Sequence, residues 1–78
     1  MAVTSITIGH KYKVTANPSL NIRSGPGTNY YKIGSLKKGA VESAITMKSG
    51  WVRLSGYGYY NGDNKVERWV SGQYLVPA

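Results

Sequence analysis

Residues 20–39 read LNIRSGPGTNYYKIGSLKKG. Leu20 and Ile22 alternate with Asn21 and Arg23, the period-two pattern of a half-buried strand. Ser24-Gly25-Pro26-Gly27-Thr28-Asn29 then interrupts the pattern. Two glycines around a proline are too irregular for a strand interior and spell a loop. Ile33 and Leu36 resume the apolar signal, and Lys37-Lys38-Gly39 closes the stretch as a tight turn. Short strands separated by turns at this spacing are the pattern of a small antiparallel β domain.

The same reading extends in both directions. Upstream, Tyr12, Val14 and Ala16 alternate with Lys11, Lys13 and Thr15, and Asn17-Pro18-Ser19 breaks that run from the next. Downstream, Val41, Ser43, Ile45 and Met47 alternate with Glu42, Ala44 and Thr46. Val52 and Leu54 alternate with Trp51 and Arg53. Val66 and Arg68 alternate with Glu67 and Trp69, a pattern that does not decide which side is inward. Lys48-Ser49-Gly50 is a turn with Gly50 where a positive φ is wanted. Gly56–Asn64 is the longest polar stretch, with Asn61-Gly62 as its hairpin tip. Ser71–Leu75 has the length of one 3₁₀ turn. No window carries a sustained helical repeat, so the chain reads as all-β, a small barrel or pair of packed sheets. Leu20, Ile22, Ile33, Leu36, Val52, Leu54, Val70 and Leu75 are the expected core.

Composition narrows the function classes. The chain has 78 residues, enough for one small domain. It has no cysteine, which excludes disulfides and Cys-based metal sites. No apolar run is long enough for a spanning helix. The N-terminus lacks a basic region followed by an apolar one, so any export signal is expected on a larger precursor. Residues 1–9 are expected to be an N-terminal extension or linker, with the domain over 10–78. Val76-Pro77-Ala78 reads as a chain end or the start of another linker.

Catalysis fits the residues poorly. The acids are Glu42, Asp63 and Glu67, and the one imidazole is His10. A glycosidase needs two carboxyls about 5–10 Å apart around a bound sugar. Glu42 and Glu67 are possible cross-strand neighbours, but as surface charges partnering Lys or Arg. One histidine with scattered acids supplies no metal site, and no cofactor is implied. Aromatic usage says more: seven Tyr and two Trp stand against no Phe. Tyr and Trp join an apolar face to a polar edge, which suits a binding surface better than a purely packed core. Ten Lys and Arg against three acids give a net charge of +7, which speeds encounter with anionic surfaces without specifying a ligand.

LNIRSGPGTNYYKIGSLKKG, Gly50-Trp51 and WVSGQYL (69–75) together resemble the bacterial SH3-type domain, over roughly residues 11–76. The resemblance implies an all-β, antiparallel SH3-like barrel of five to seven short strands. It implies a non-catalytic module that binds peptidoglycan, through a stem peptide or cross-bridge, and targets an attached lytic domain to the Gram-positive wall. Such modules accompany phage endolysins and autolysins, so the expected location is the extracellular wall, or release from the host cytoplasm if the source is a phage. Anionic wall polymers are a further expected partner; membrane is not. Three features depart from the family. Glu42 falls where an apolar residue is usual, so Val41 and Ile45 are expected to fill the core through a one-residue offset or bulge. The hairpin between Trp51 and Trp69 is longer and enriched in Tyr57, Tyr59 and Tyr60. Residues 1–9 lie outside the motif.

In such a barrel the loop, the strand opening at Trp51 and the late turn converge on one side, which implies a shallow aromatic groove. Trp51 is out of phase with Val52 and Leu54 and so faces outward. The expected ligand contacts are Tyr30, Trp51, Asn29, Tyr31, Tyr59 and Tyr74, then Trp69 and Arg23. Asn29 would pair with a peptide backbone, and Arg23 either reads the ligand or braces the Gly-Pro-Gly loop. The competing reading is a small barrel that stacks single-stranded nucleic acid on its aromatics. No aromatic–basic motif of that kind is present, so nucleic acid is not the expected partner.

Overall fold

The computed structural model describes residues 3–78. Seven strands form in chain order: β1 (Lys11–Val14), β2 (Ser19–Arg23), β3 (Lys32–Lys37), β4 (Val41–Lys48), β5 (Trp51–Tyr60), β6 (Asn64–Ser71) and β7 (Leu75–Pro77). A 3₁₀ turn over Gly72–Tyr74 joins the last two. All ladders are antiparallel, in the order β3-β2-β6-β5-β4-β1-β7. The sheet curls on itself as an SH3-like barrel.

The inner face carries Tyr12, Val14, Leu20, Ile22, Val52, Leu54, Val70 and Leu75, every one of them buried. Val14, Val52, Leu54, Val70 and Leu75 are the largest side chains removed from water entirely. Each such burial contributes about 1.5–3 kcal/mol, a large share of what so small a domain has available. Ile33 and Leu36 pack against this cluster half-buried, because β3 is an outer strand of the sheet.

Two hairpins have the tight connections read from the sequence. Lys48 pairs with Trp51 across Ser49 and Gly50, both at positive φ (51° and 81°), the two-residue turn whose twist matches the strands. Asn61 and Gly62, at φ 53° and 85°, turn the tip between β5 and β6.

The expected role of Val41 and Ile45 is corrected. Val41 is 46% exposed, whereas Ala44 is fully buried. A bulge between Ala44 and Thr46 explains this: Ala44 pairs with Leu54, Thr46 with Arg53. The extra residue, Ile45, switches the facing of everything after it, so Met47 packs inward while Ala44 fills the core before it. Glu42 shares Ala44's inward phase. Its carboxylate is satisfied there by Arg68, whose Nη2 donates to Oε1 at 2.7 Å and to the Ser55 carbonyl at 2.7 Å. The pair lies on the inner side of the sheet, Glu42 opposite Tyr12 and Arg68 opposite Leu54.

The segment before β1 lies along the barrel. Val3 N–H donates to the Gly72 carbonyl, and Gly9 N–H to that of Ala44. Ala44 N–H donates to His10, and Thr7 N–H to the Tyr12 hydroxyl. Val3 and Ile6 pack on the core.

Candidate functional site

Alternation decides which β2 side chains face outward. With Leu20 and Ile22 inside, Ser19, Asn21 and Arg23 stand on the opposite face. Trp51 stands outward on β5 for the same reason, beside buried Val52. The 3₁₀ turn is capped by the Ser71 hydroxyl, which accepts from Gln73 N–H at 3.3 Å, and it presents Gln73 and Tyr74. These elements enclose a groove of about 580 Å³. Trp51 and Tyr74 supply its aromatic walls. Asn17, Asn21, Ser71 and Gln73 line it with amides and hydroxyls, and Arg23 and Thr28 stand at the loop end.

Of the eight residues expected to touch ligand, the groove gathers Trp51, Tyr74 and Arg23. The others lie elsewhere. The Tyr30 ring folds back onto its own loop, covering Gly25, where an added Cβ would come within 2.6 Å of ring Cγ. Asn29 belongs to the same knot, its Oδ1 against Gly27. Arg23 ties it down, Nη1 donating to the Tyr30 carbonyl at 3.1 Å. Arg23 thus braces the loop and also lines the groove.

Tyr31 and Tyr59 sit at the far end of the long hairpin. Tyr31 stacks on Tyr60 with ring centroids 4.0 Å apart and planes 15° from parallel. Hydrogen bonding with the Tyr31 hydroxyl, with some loss of solvent, holds the Tyr60 phenol above its ordinary value. Tyr59, 59% exposed, projects from the outer face next to Tyr57, whose ring lies 4.3 Å from the Lys65 ammonium. The long hairpin thus folds onto the 24–31 loop and carries its own aromatic surface, apart from the groove.

Trp69 is not among the residues that line the groove. It is only 6% exposed, and its indole N–H donates to Glu67 Oε1 at 2.9 Å. Trp69 pairs with Arg23 on one side and Arg53 on the other, at the centre of the outer face. Arg53 reaches Glu67 at 3.5 Å. Glu42 and Glu67 are therefore not a pair: one points inward to Arg68, the other outward to Arg53.

Sequence reasoning missed Asn17, Asn21, Ser71 and Gln73. Asn21 had a signal, its outward phase between Leu20 and Ile22. The rest are polar residues whose neighbourhood only the closure of the sheet creates. A second concavity of about 670 Å³ lies between residues 3–8 and β4. Ile6, Ile8, Ile45 and Met47 dominate it, with no aromatic or ionisable side chain.

Comparison with known proteins agrees with this architecture. A family model described as the bacterial SH3 domain matches residues 18–76. A Bacillus subtilis protein assigned as an N-acetylmuramoyl-L-alanine amidase, YrvJ, is 38% identical over 62 residues. That alignment takes in 80% of this chain but 11% of the amidase.

Proposed function

The chain belongs to the bacterial SH3 domain family, and from that premise we propose that it is a non-catalytic module that binds peptidoglycan. It would hold an attached lytic domain on its insoluble substrate and so raise the local concentration of that domain. The observation that carries this reading is the groove itself. Trp51 and Tyr74 offer flat apolar faces, and the side-chain amides of Asn17, Asn21 and Gln73 each offer a donor and an acceptor. That combination fits an extended peptide with unpaired backbone groups, such as a stem peptide or cross-bridge. The similarity to a segment of an amidase supports the setting of a wall hydrolase.

The test is co-sedimentation of the 78-residue chain with purified Gram-positive peptidoglycan. The wild type should pellet with the wall. Trp51→Ala should reduce binding at least tenfold with an unchanged far-UV circular dichroism spectrum. Failure of the wild type to pellet across several cross-bridge types at low salt would refute the reading.

A further inference from the structure

The outward face of β2 and β3 beside the groove is unusually one-signed. Arg23 pairs directly with Lys32 across the ladder, and Lys37 pairs with Ser19 at the other end. Like charges placed directly opposite on a sheet destabilise it. Among the described residues, the salt bridges are Arg53–Glu67 and Arg68–Glu42, so neither member of the Arg23–Lys32 pair is neutralised. Asp63, the remaining acid, sits in the hairpin turn just past Tyr60, the ring on which Tyr31 stacks, and forms neither of these salt bridges; no carboxylate lines the groove. Arg23 spends one nitrogen on the Tyr30 carbonyl, which fixes the guanidinium and leaves its other donors available.

We propose that this edge is an anion-recognising end of the groove, where Arg23, flanked by Lys32, takes a carboxylate of the bound peptide. The inference rests on the wall-binding reading and narrows it to acidic peptide over neutral cross-bridge. A guanidinium held in place suits the two oxygens of a carboxylate, and such charge-assisted bonds are roughly twice as strong as neutral ones. Lys32, directly opposite Arg23 on the ladder and just outside the groove lining, adds positive potential beside it. The bound anion offsets the repulsion that the free protein carries between β2 and β3. A phosphate would answer the same charge. The amide lining that continues from Asn21 to Gln73 favours a ligand whose anion is attached to a peptide backbone.

The experiment is an NMR titration of the ¹⁵N-labelled chain with three probes. These are a wall stem peptide bearing free carboxylates, the same peptide with every carboxylate converted to carboxamide, and a poly(glycerol phosphate) chain. The acidic peptide should bind at least tenfold more tightly than its amide at low salt, shifting Asn21 and the Trp51 indole. Lys32→Gln, a change on an exposed strand position, should shrink that ratio several-fold. Arg23→Lys, which keeps the charge and loses the fork, should shrink it too. Equal affinity for the two peptides overturns carboxylate recognition and leaves wall binding standing. Binding of the phosphate chain at these residues with indifference to the peptides also overturns it, in favour of a polymer. Loss of all binding, to intact walls as well as to peptides, refutes the wall-binding reading and this inference with it.

Discussion

Glu42 offers the sharpest test of how the barrel is assembled, because its charge stands at an inward position. Its side chain is 27% exposed and that of Arg68 is 19% exposed, so the pair lies between a surface bridge and a buried one. Exposed pairs contribute about 0–1 kcal/mol. Breaking a fully buried pair by removing one partner costs about 3–5 kcal/mol. The 2.7 Å bond is short, but Arg68 keeps the Ser55 carbonyl as a second acceptor when Glu42 is lost. Glu42→Ala should therefore destabilise by about 1–2 kcal/mol. In a domain this size that lowers the melting temperature by about 5–15 °C. Arg68→Ala should cost more, since it also frees the Ser55 carbonyl and removes the stem that packs near Gly58. The double variant should cost less than the sum, with a coupling of about 1 kcal/mol by urea denaturation. Additivity to within about 0.3 kcal/mol would show that the pair does not hold β4 to the β5–β6 hairpin. The coupling should also survive added salt better than a surface pair would.

Other outcomes follow from single contacts. Leu54→Ala, at a side chain wholly removed from water, should cost about 2–5 kcal/mol and leave little folded protein at 37 °C in a thermal melt. Gly25→Ala places a methyl inside the Tyr30 ring contact; the loop should shift, the Arg23–Tyr30 bond weaken and stability fall by about 1–3 kcal/mol, while an unchanged melt would show that the ring is not seated there. In a spectrophotometric titration Tyr60 should ionise later than an ordinary phenol, and Tyr31→Phe should remove the delay. A phenol with a raised folded value favours its neutral form. The stabilisation from the Tyr31 contact is thus complete below about pH 10 and disappears as pH climbs through the raised value. If Tyr60 ionises at the ordinary phenol value, the hydrogen bond between the two hydroxyls is absent.

Alternation and turn chemistry are local properties, and they determined most of this architecture. Leu20, Ile22, Val52, Leu54, Val70 and Leu75 are inside because a strand offers two faces and their spacing selects one. Ser49-Gly50 and Asn61-Gly62 mark hairpins because few residues accept positive φ. Trp51 faces outward for the same reason that Val52 does not. Closure of the sheet is a different kind of fact, fixed by partners far apart in the chain. The bulge at Ile45 reversed the facing of half of β4 and put Ala44, not Val41, in the core, and no local pattern gives the register against β5. Arg68 could make Glu42 tolerable inside only by crossing from β6. The facing of Trp69, which alternation left undecided, is settled by its pairing between Arg23 and Arg53 on the neighbouring strands. The tyrosines expected to share one trough divided between a folded-back loop, a stacked hairpin end and the groove, because their order along the chain carries no information about which strands meet. The local chain settles which way each side chain points; which side chains meet to form a site depends on long-range pairing, and that exists only in the folded sheet.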